Sequence, residues 1–146
     1  MKRTLLALAL LALAACSSAP RLDTAEEAEV RAAAQGYLDA MGNYRISDAA
    51  PFATRQTRDV TIPAMNYVLA HSDTAYVNSN RPADITILSV RRVDDTTSRA
   101  FYHKHTPIKD VDDSVTLHLE DGHWLVDVRL GFLPALPSST LPTPTK

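Results

Sequence analysis

The chain has 146 residues, 45% of them hydrophobic, with 15 Lys and Arg against 17 Asp and Glu for a net charge of −2. That length suits one domain with an ordinary core and is too short for two. Beyond residue 15 only Arg91 and Arg92 are adjacent cations, which argues against nucleic acid as a partner, since phosphate binding needs clustered positive charge.

The chain opens with Lys2 and Arg3, followed by an unbroken apolar run from Leu5 to Ala15 and then by small residues. As a helix that run reaches roughly 16 Å, short of a hydrocarbon core of roughly 30 Å, so residues 1–15 read as a cleaved signal peptide. Leu13-Ala14-Ala15-Cys16 resembles the bacterial lipobox. The resemblance implies that Cys16 is acylated and becomes the first residue of a mature protein anchored to a membrane of the cell envelope. Residues 16–22 then form the lipidated N-terminus and a short tether. Ser17 after the cysteine implies the outer membrane, facing the periplasm, in a Gram-negative host. The alternative is an ordinary secretory signal that leaves Cys16 unmodified. With Lys2 and Arg3 removed, 13 basic residues face 17 acidic ones, a net of −4. A lipidated Cys16 leaves no thiol for a disulfide, so the fold must stand unstapled.

Helices come first. Thr24-Ala25-Glu26-Glu27 has the spacing of a capping box, and Val30, Ala34, Tyr37, Leu38 and Met41 recur on one helical face before Gly42 supplies a stop. Ser47–Thr54 predicts a second, short helix despite Pro51. A third is expected from Thr61, with Pro63 in its first turn and Ile62, Met65, Val68 and Leu69 as its apolar set. Residues 71–83 read as a loop.

Strands follow. Ile85–Val93 is rich in β-branched residues and shifts its apolar phase in the middle, which predicts a bulge. Arg99–Thr106, Asp113–Glu120 and His123–Leu130 are the remaining strands. Asp121-Gly122 is the signature of a two-residue type I′ hairpin, which would set Leu119 opposite Trp124, Leu117 opposite Val126 and Val115 opposite Val128 on one face. From Gly131 the chain reads GFLPALPSSTLPTPTK, and residues 134–146 are expected to be a Pro-rich disordered tail. The plan is α+β, N-terminal helices packed on an antiparallel sheet.

VRAAAQGYLDAMGNYRISDAAPFAT and DSVTLHLEDGHWLVDVRL resemble the opening helices and the closing hairpin of the nuclear transport factor 2-like superfamily. The likeness runs from about Asp23 to Leu130 and implies a domain over residues 23–133. It implies a cone-shaped α+β roll, a curved sheet wrapped around the first helix, often with a pocket at its open end. The ketosteroid isomerases of that superfamily carry an oxyanion-donating tyrosine on the first helix, where Tyr37 falls. Their general-base position falls on Val60, with Asp59 one step away, and their second acid has no counterpart, so no catalytic residue is assigned. Residues expected to line a pocket, or to fill it as core, are Tyr37, Phe52, Met65, Tyr67 and Trp124.

His103 and His105 share one face of their strand, and a loop at Lys109–Asp112 would bring His118 opposite His103 with Asp127 alongside. Three imidazoles and a carboxylate are a zinc-type donor set. The competing readings of that face are a partner or dimer surface, or plain solvated surface. The chain has neither a Gly-rich phosphate loop nor a G-x-S-x-G nucleophile motif, and no cofactor is called for. The expected function is a non-catalytic binding or scaffolding module at the envelope, with an envelope protein as partner. The alternative is a small-molecule-binding protein, or an isomerase- or cyclase-like enzyme using the cone pocket.

Overall fold

The computed structural model describes residues 21–130; the expected signal peptide, Cys16 and the Pro-rich C-terminal sequence lie outside them. In chain order the elements are α1 (Thr24–Gly42), a 3-10 segment (Ile46–Phe52), a π turn (Thr57–Thr61), α2 (Ile62–Ala70), α3 (Thr74–Ser79) and strands β1 (Asp84–Arg92), β2 (Thr97–Thr106), β3 (Lys109–Glu120) and β4 (His123–Asp127). The strands form one antiparallel sheet in the order β1-β2-β3-β4, and α1 lies across all four. The fold class is α+β, helices packed on an antiparallel sheet.

The capping box of α1 sits one residue earlier than the Thr24–Glu27 spacing predicts. Asp23 is the cap, its carboxylate accepting from the Glu26 N–H at 2.8 Å while Glu26 accepts from the Asp23 N–H at 3.1 Å. A carboxylate cap accepts at full charge beside the positive helix end, which favours it over the Thr24 hydroxyl. The stop also differs from expectation. Tyr44, at φ 58°, takes the left-handed position, with the Arg45 N–H donating to Ala40 O at 2.8 Å and the Tyr44 N–H to Met41 O at 3.2 Å. Gly42 instead permits close packing, since a Cβ there would lie 3.2 Å from that of Ala83.

α1 covers the sheet by sealing its β1 edge. Gln35 donates to Ile85 O at 3.0 Å and Arg31 to Ile87 O at 3.3 Å, occupying carbonyls that an edge strand leaves free. At one end of this seam Asn43 donates to Ala83 O and accepts from the Ala83 N–H, both at 3.0 Å. At the other, Arg92 donates to Glu26 at 2.6 Å, with its guanidinium 5.8 Å from the centre of the Trp124 ring. The opposite edge, β4, is sealed by the chain itself through an Ala53–Val126 bridge and a row of buried threonines. Thr54 donates to Asp127 Oδ1 at 3.0 Å, Thr57 accepts from the Val128 N–H at 2.8 Å, and Thr61 donates to Val128 O at 2.7 Å.

The β3–β4 hairpin turns at Asp121 and Gly122 with φ 53° and 82°, as the type I′ signature requires. Leu119 pairs with Trp124 and Leu117 with Val126, but β4 ends at Asp127, so Val115 has no partner in Val128. Thr57 has taken the Val128 amide. The predicted bulge in β1 lies between Ile87 and Ser89. Three further expectations need correction. Residues 71–83 contain α3, capped by Asp73. Helical winding starts before Thr61, in the π turn. The β2–β3 turn is Pro107-Ile108, since Thr106 already pairs with Lys109, and Lys109–Asp112 is strand. The core lies between α1 and the sheet, with Val30, Ala34, Leu117, Trp124 and Val126 at most 1% exposed.

Candidate functional site

A recess of about 490 Å³ opens where α1, the 3-10 segment and the β3–β4 hairpin meet. Its floor is apolar: Ala32 and Ala33 of α1, the Phe52 ring and the edge of Trp124. Phe52 can lie there because Gly36 has no side chain, and a methyl at that position would overlap the ring. The rim carries both signs, with Arg55, Arg58 and His123 against Glu29, Glu120 and Asp121.

Two of the three rim carboxylates are held by the backbone. Glu120 accepts from the Arg55 N–H at 3.1 and 3.3 Å, fastening the segment after the 3-10 turn to the hairpin. Glu29 accepts from the Trp124 N–H at 3.3 Å and lies 3.1 Å from His123 Nδ1, fastening the hairpin to α1. The Arg55 guanidinium is only loosely paired with Asp121, at 4.0 Å with both side chains largely exposed, and so can engage a ligand. An apolar floor beneath a rim of both charge signs suits an amphipathic ligand.

Two of the five residues expected around a pocket meet here, Phe52 and Trp124. Tyr37 is 3% exposed in the core, where its hydroxyl has no hydrogen-bond partner and burial pushes its pKa up to about 12. It therefore stays protonated at any physiological pH. Met65 packs against the core from α2. Tyr67 points away from the others, 61% exposed with its ring 4.2 Å from that of His71. Asp59 lies on the surface beside Arg58 at 3.2 Å and Val60 is 47% exposed, so neither forms a buried acid–base pair with Tyr37. Arg55, Arg58, Glu29 and His123 were missed because three distant segments build the rim and no local spacing joins them.

On the outer face of the sheet the histidines fall into two groups. His103 Nδ1 lies 2.7 Å from Asp112 and His105 Nδ1 lies 2.6 Å from Asp110, each His–Asp pair directly across the β2–β3 ladder. His118 stands opposite Thr97, well along the ladder from Asp112, the residue that opposes His103; the three imidazoles are therefore not one donor set, correcting the expected register. Among the described residues no group of three or more His, Cys, Asp or Glu is arranged to hold a metal ion. His118 does lie near Asp127, as expected, with Nε2 at 3.5 Å, and its Nδ1 is 3.3 Å from Thr97 Oγ1. The Asp127 side chain is only 8% exposed and also accepts from Thr54 and Arg129, so this polar line knits three strands to the chain just ahead of the π turn.

No protein family matches the chain in sequence, and no curated protein does. Among solved structures the chain is similar to an NTF-2 like protein of unknown function from Shewanella oneidensis MR-1, at 11% identity and a TM-score of 0.46 over 68% of this chain and 92% of that one. Among the described residues no helix is long and apolar enough to cross a membrane.

Proposed function

We propose that the chain is a lipoprotein anchored to the cell envelope through Cys16, and that its folded part is a non-catalytic binding module. The observation that carries the second half is the contrast between a filled interior and an open recess. The space between α1 and the sheet is occupied by Trp124, Leu117, Val30 and Val126, and Tyr37 among them is a phenol too weakly acidic to exchange protons near neutrality. The Phe52 floor beneath the charged rim is instead an accessible apolar surface with polar groups around it, which favours recognition of an envelope partner at the surface over chemistry in a cavity.

The anchor is tested by labelling cells with an alkyne analogue of palmitate and fractionating them. The wild type is expected in the membrane fraction carrying label, and Cys16→Ser in the soluble fraction without it. A soluble, unlabelled wild type overturns the lipoprotein reading. The module is tested by cross-linking in intact cells before detergent solubilisation. A partner recovered with the wild type and lost with Phe52→Asp supports it; an unchanged pattern removes the recess from the proposal.

A second reading is favoured by the size of the recess, which would accept a small amphipathic molecule. Titration of the soluble Cys16→Ser protein with a single-chain anionic amphiphile below its micellar concentration separates the two. Saturable quenching of Trp124 fluorescence that Phe52→Asp abolishes supports the small-molecule reading.

A further inference from the structure

Helix α2, Ile62-Pro63-Ala64-Met65-Asn66-Tyr67-Val68-Leu69-Ala70, has Asn66 as its only non-aromatic polar residue, yet Ile62 is its only buried one. A helix that is apolar on every side is normally covered on every side. One stripe, Ile62, Met65 and Leu69, faces the core. A second stripe, Val60, Ala64, Tyr67 and Val68, follows the same three- and four-residue spacing along the outside, with Val60 47%, Tyr67 61% and Val68 51% exposed. Asn66 does not interrupt it, being turned toward Ser47 at 3.2 Å.

The described chain leaves the fold at the foot of this stripe. Val128 is pinned to the π turn by Thr57 and Thr61, and Arg129 and Leu130 line a recess of about 390 Å³ together with Gln56, Val60 and Thr61. The next six residues are Gly131-Phe132-Leu133-Pro134-Ala135-Leu136, without a charged or hydrogen-bonding side chain, and the sequence turns to Ser, Thr and Pro directly after them. From Val60 to Tyr67 a helix rises about 10 Å, and six extended residues span about 20 Å. The apolar segment is thus long enough to run the length of the stripe, and Pro134 favours the extended conformation this requires.

We propose that residues 131–136 lie along the outer stripe of α2, with Phe132, Leu133 and Leu136 against Val60, Ala64, Tyr67 and Val68. The occupant is this chain's own C-terminal segment because it emerges beside Val60 and its apolar stretch matches the stripe in length.

Amide hydrogen exchange of the full chain carrying Cys16→Ser tests this. Peptides covering α2 are expected to exchange at least tenfold faster, a change of about 1.4 kcal/mol in opening free energy, when Phe132→Asp and Leu133→Asp are combined, or when residues 131–146 are deleted. Deleting residues 138–146 alone should change nothing. As a measurement that does not depend on destabilising the protein, Val68→Cys with Leu133→Cys should close an intramolecular disulfide on mild oxidation, whereas Val68→Cys with Thr145→Cys should not. Equal exchange in all variants overturns the proposal, as does absence of the Val68–Leu133 cross-link. A dimer that Tyr67→Asp dissociates while the tail variants leave it intact also overturns it, and gives the stripe to a second copy.

Discussion

Helices α1 and α2 are built from opposite materials. α1 has 19 residues, among them Glu26, Glu27, Glu29, Arg31, Gln35 and Asp39, and buries seven; α2 has nine, nearly all apolar, and buries one. Composition taken alone would put α2 in the interior. The difference comes from what each helix faces. α1 crosses four strands whose inward side chains are mostly apolar, and its polar residues serve the β1 edge: Gln35 and Arg31 meet free carbonyls, and Glu26 meets Arg92. α2 leans mainly on the π turn and the 3-10 segment, and its Tyr67 and Val68 stay exposed among the described residues. Burial follows from position on the sheet more than from hydrophobic content.

The largest test of that contrast is Trp124→Ala, which empties the space beneath α1. It should cost about 3–5 kcal/mol in urea unfolding, and a loss below about 1 kcal/mol would show that the contact between α1 and the sheet is not the main core. Next comes Asn43→Ala. Asn43 satisfies both backbone groups of Ala83 and so closes one end of the α1–β1 seam; its removal should cost about 1–3 kcal/mol. The amides of Asp84 and Ile85 should then exchange faster while those of β3 and β4 do not.

Gly36→Ala weighs two effects of known sign. Alanine improves the helix by about 1 kcal/mol, whereas overlap with Phe52 costs about 1–3 kcal/mol. A net loss of about 1 kcal/mol is expected, together with displacement of the Phe52 ring into the recess. A net gain in melting temperature would mean that the ring swings aside freely and that the floor of the recess is soft.

A smaller effect is expected from Lys104, which faces the helix side of the sheet. Burial, and then the charge of Lys109, hold its pKa below the ordinary lysine value. A base with a depressed folded-state pKa binds fewer protons folded than unfolded, so the charged form opposes folding at neutral pH. Stability should rise with pH from that depressed value up to the ordinary one of about 10.4. Lys104→Met should therefore raise the melting temperature at pH 7, and the difference should shrink at alkaline pH. A pH-independent difference would assign the gain to methionine packing. Smallest of all, Tyr67→Ser in a chain ending at Leu130 should change stability by less than about 0.5 kcal/mol, because without the following segment that side chain meets little but His71.

Much of the fold was legible because the signals were local. The alternation of β3 and β4 around Asp121-Gly122 fixed the register of that hairpin, since a two-residue type I′ turn leaves no slack. The phase shift in β1 marked its bulge. The β2–β3 hairpin was misread because Pro107-Ile108 carries no glycine and the polar run Lys109–Asp112 looked like a loop; pairing with His103 and His105 makes it strand. The recess was legible only in part. Phe52 and Trp124 stand out as large aromatics, but Glu29, Arg55 and His123 become neighbours only when α1, the chain after the 3-10 segment and the hairpin converge.

The sequence by itself determined the α+β order, the closing hairpin and the apolar face of the sheet, because each depends on contacts between residues a few positions apart. Only the tertiary structure decided which apolar helix is covered, which strand edges are sealed and which charged residues share a rim. Those outcomes depend on pairings between residues 40 to 95 positions apart, such as Asn43 with Ala83 and Glu29 with Trp124. No local periodicity encodes such distances; they are fixed only when burial of the common core brings the segments together.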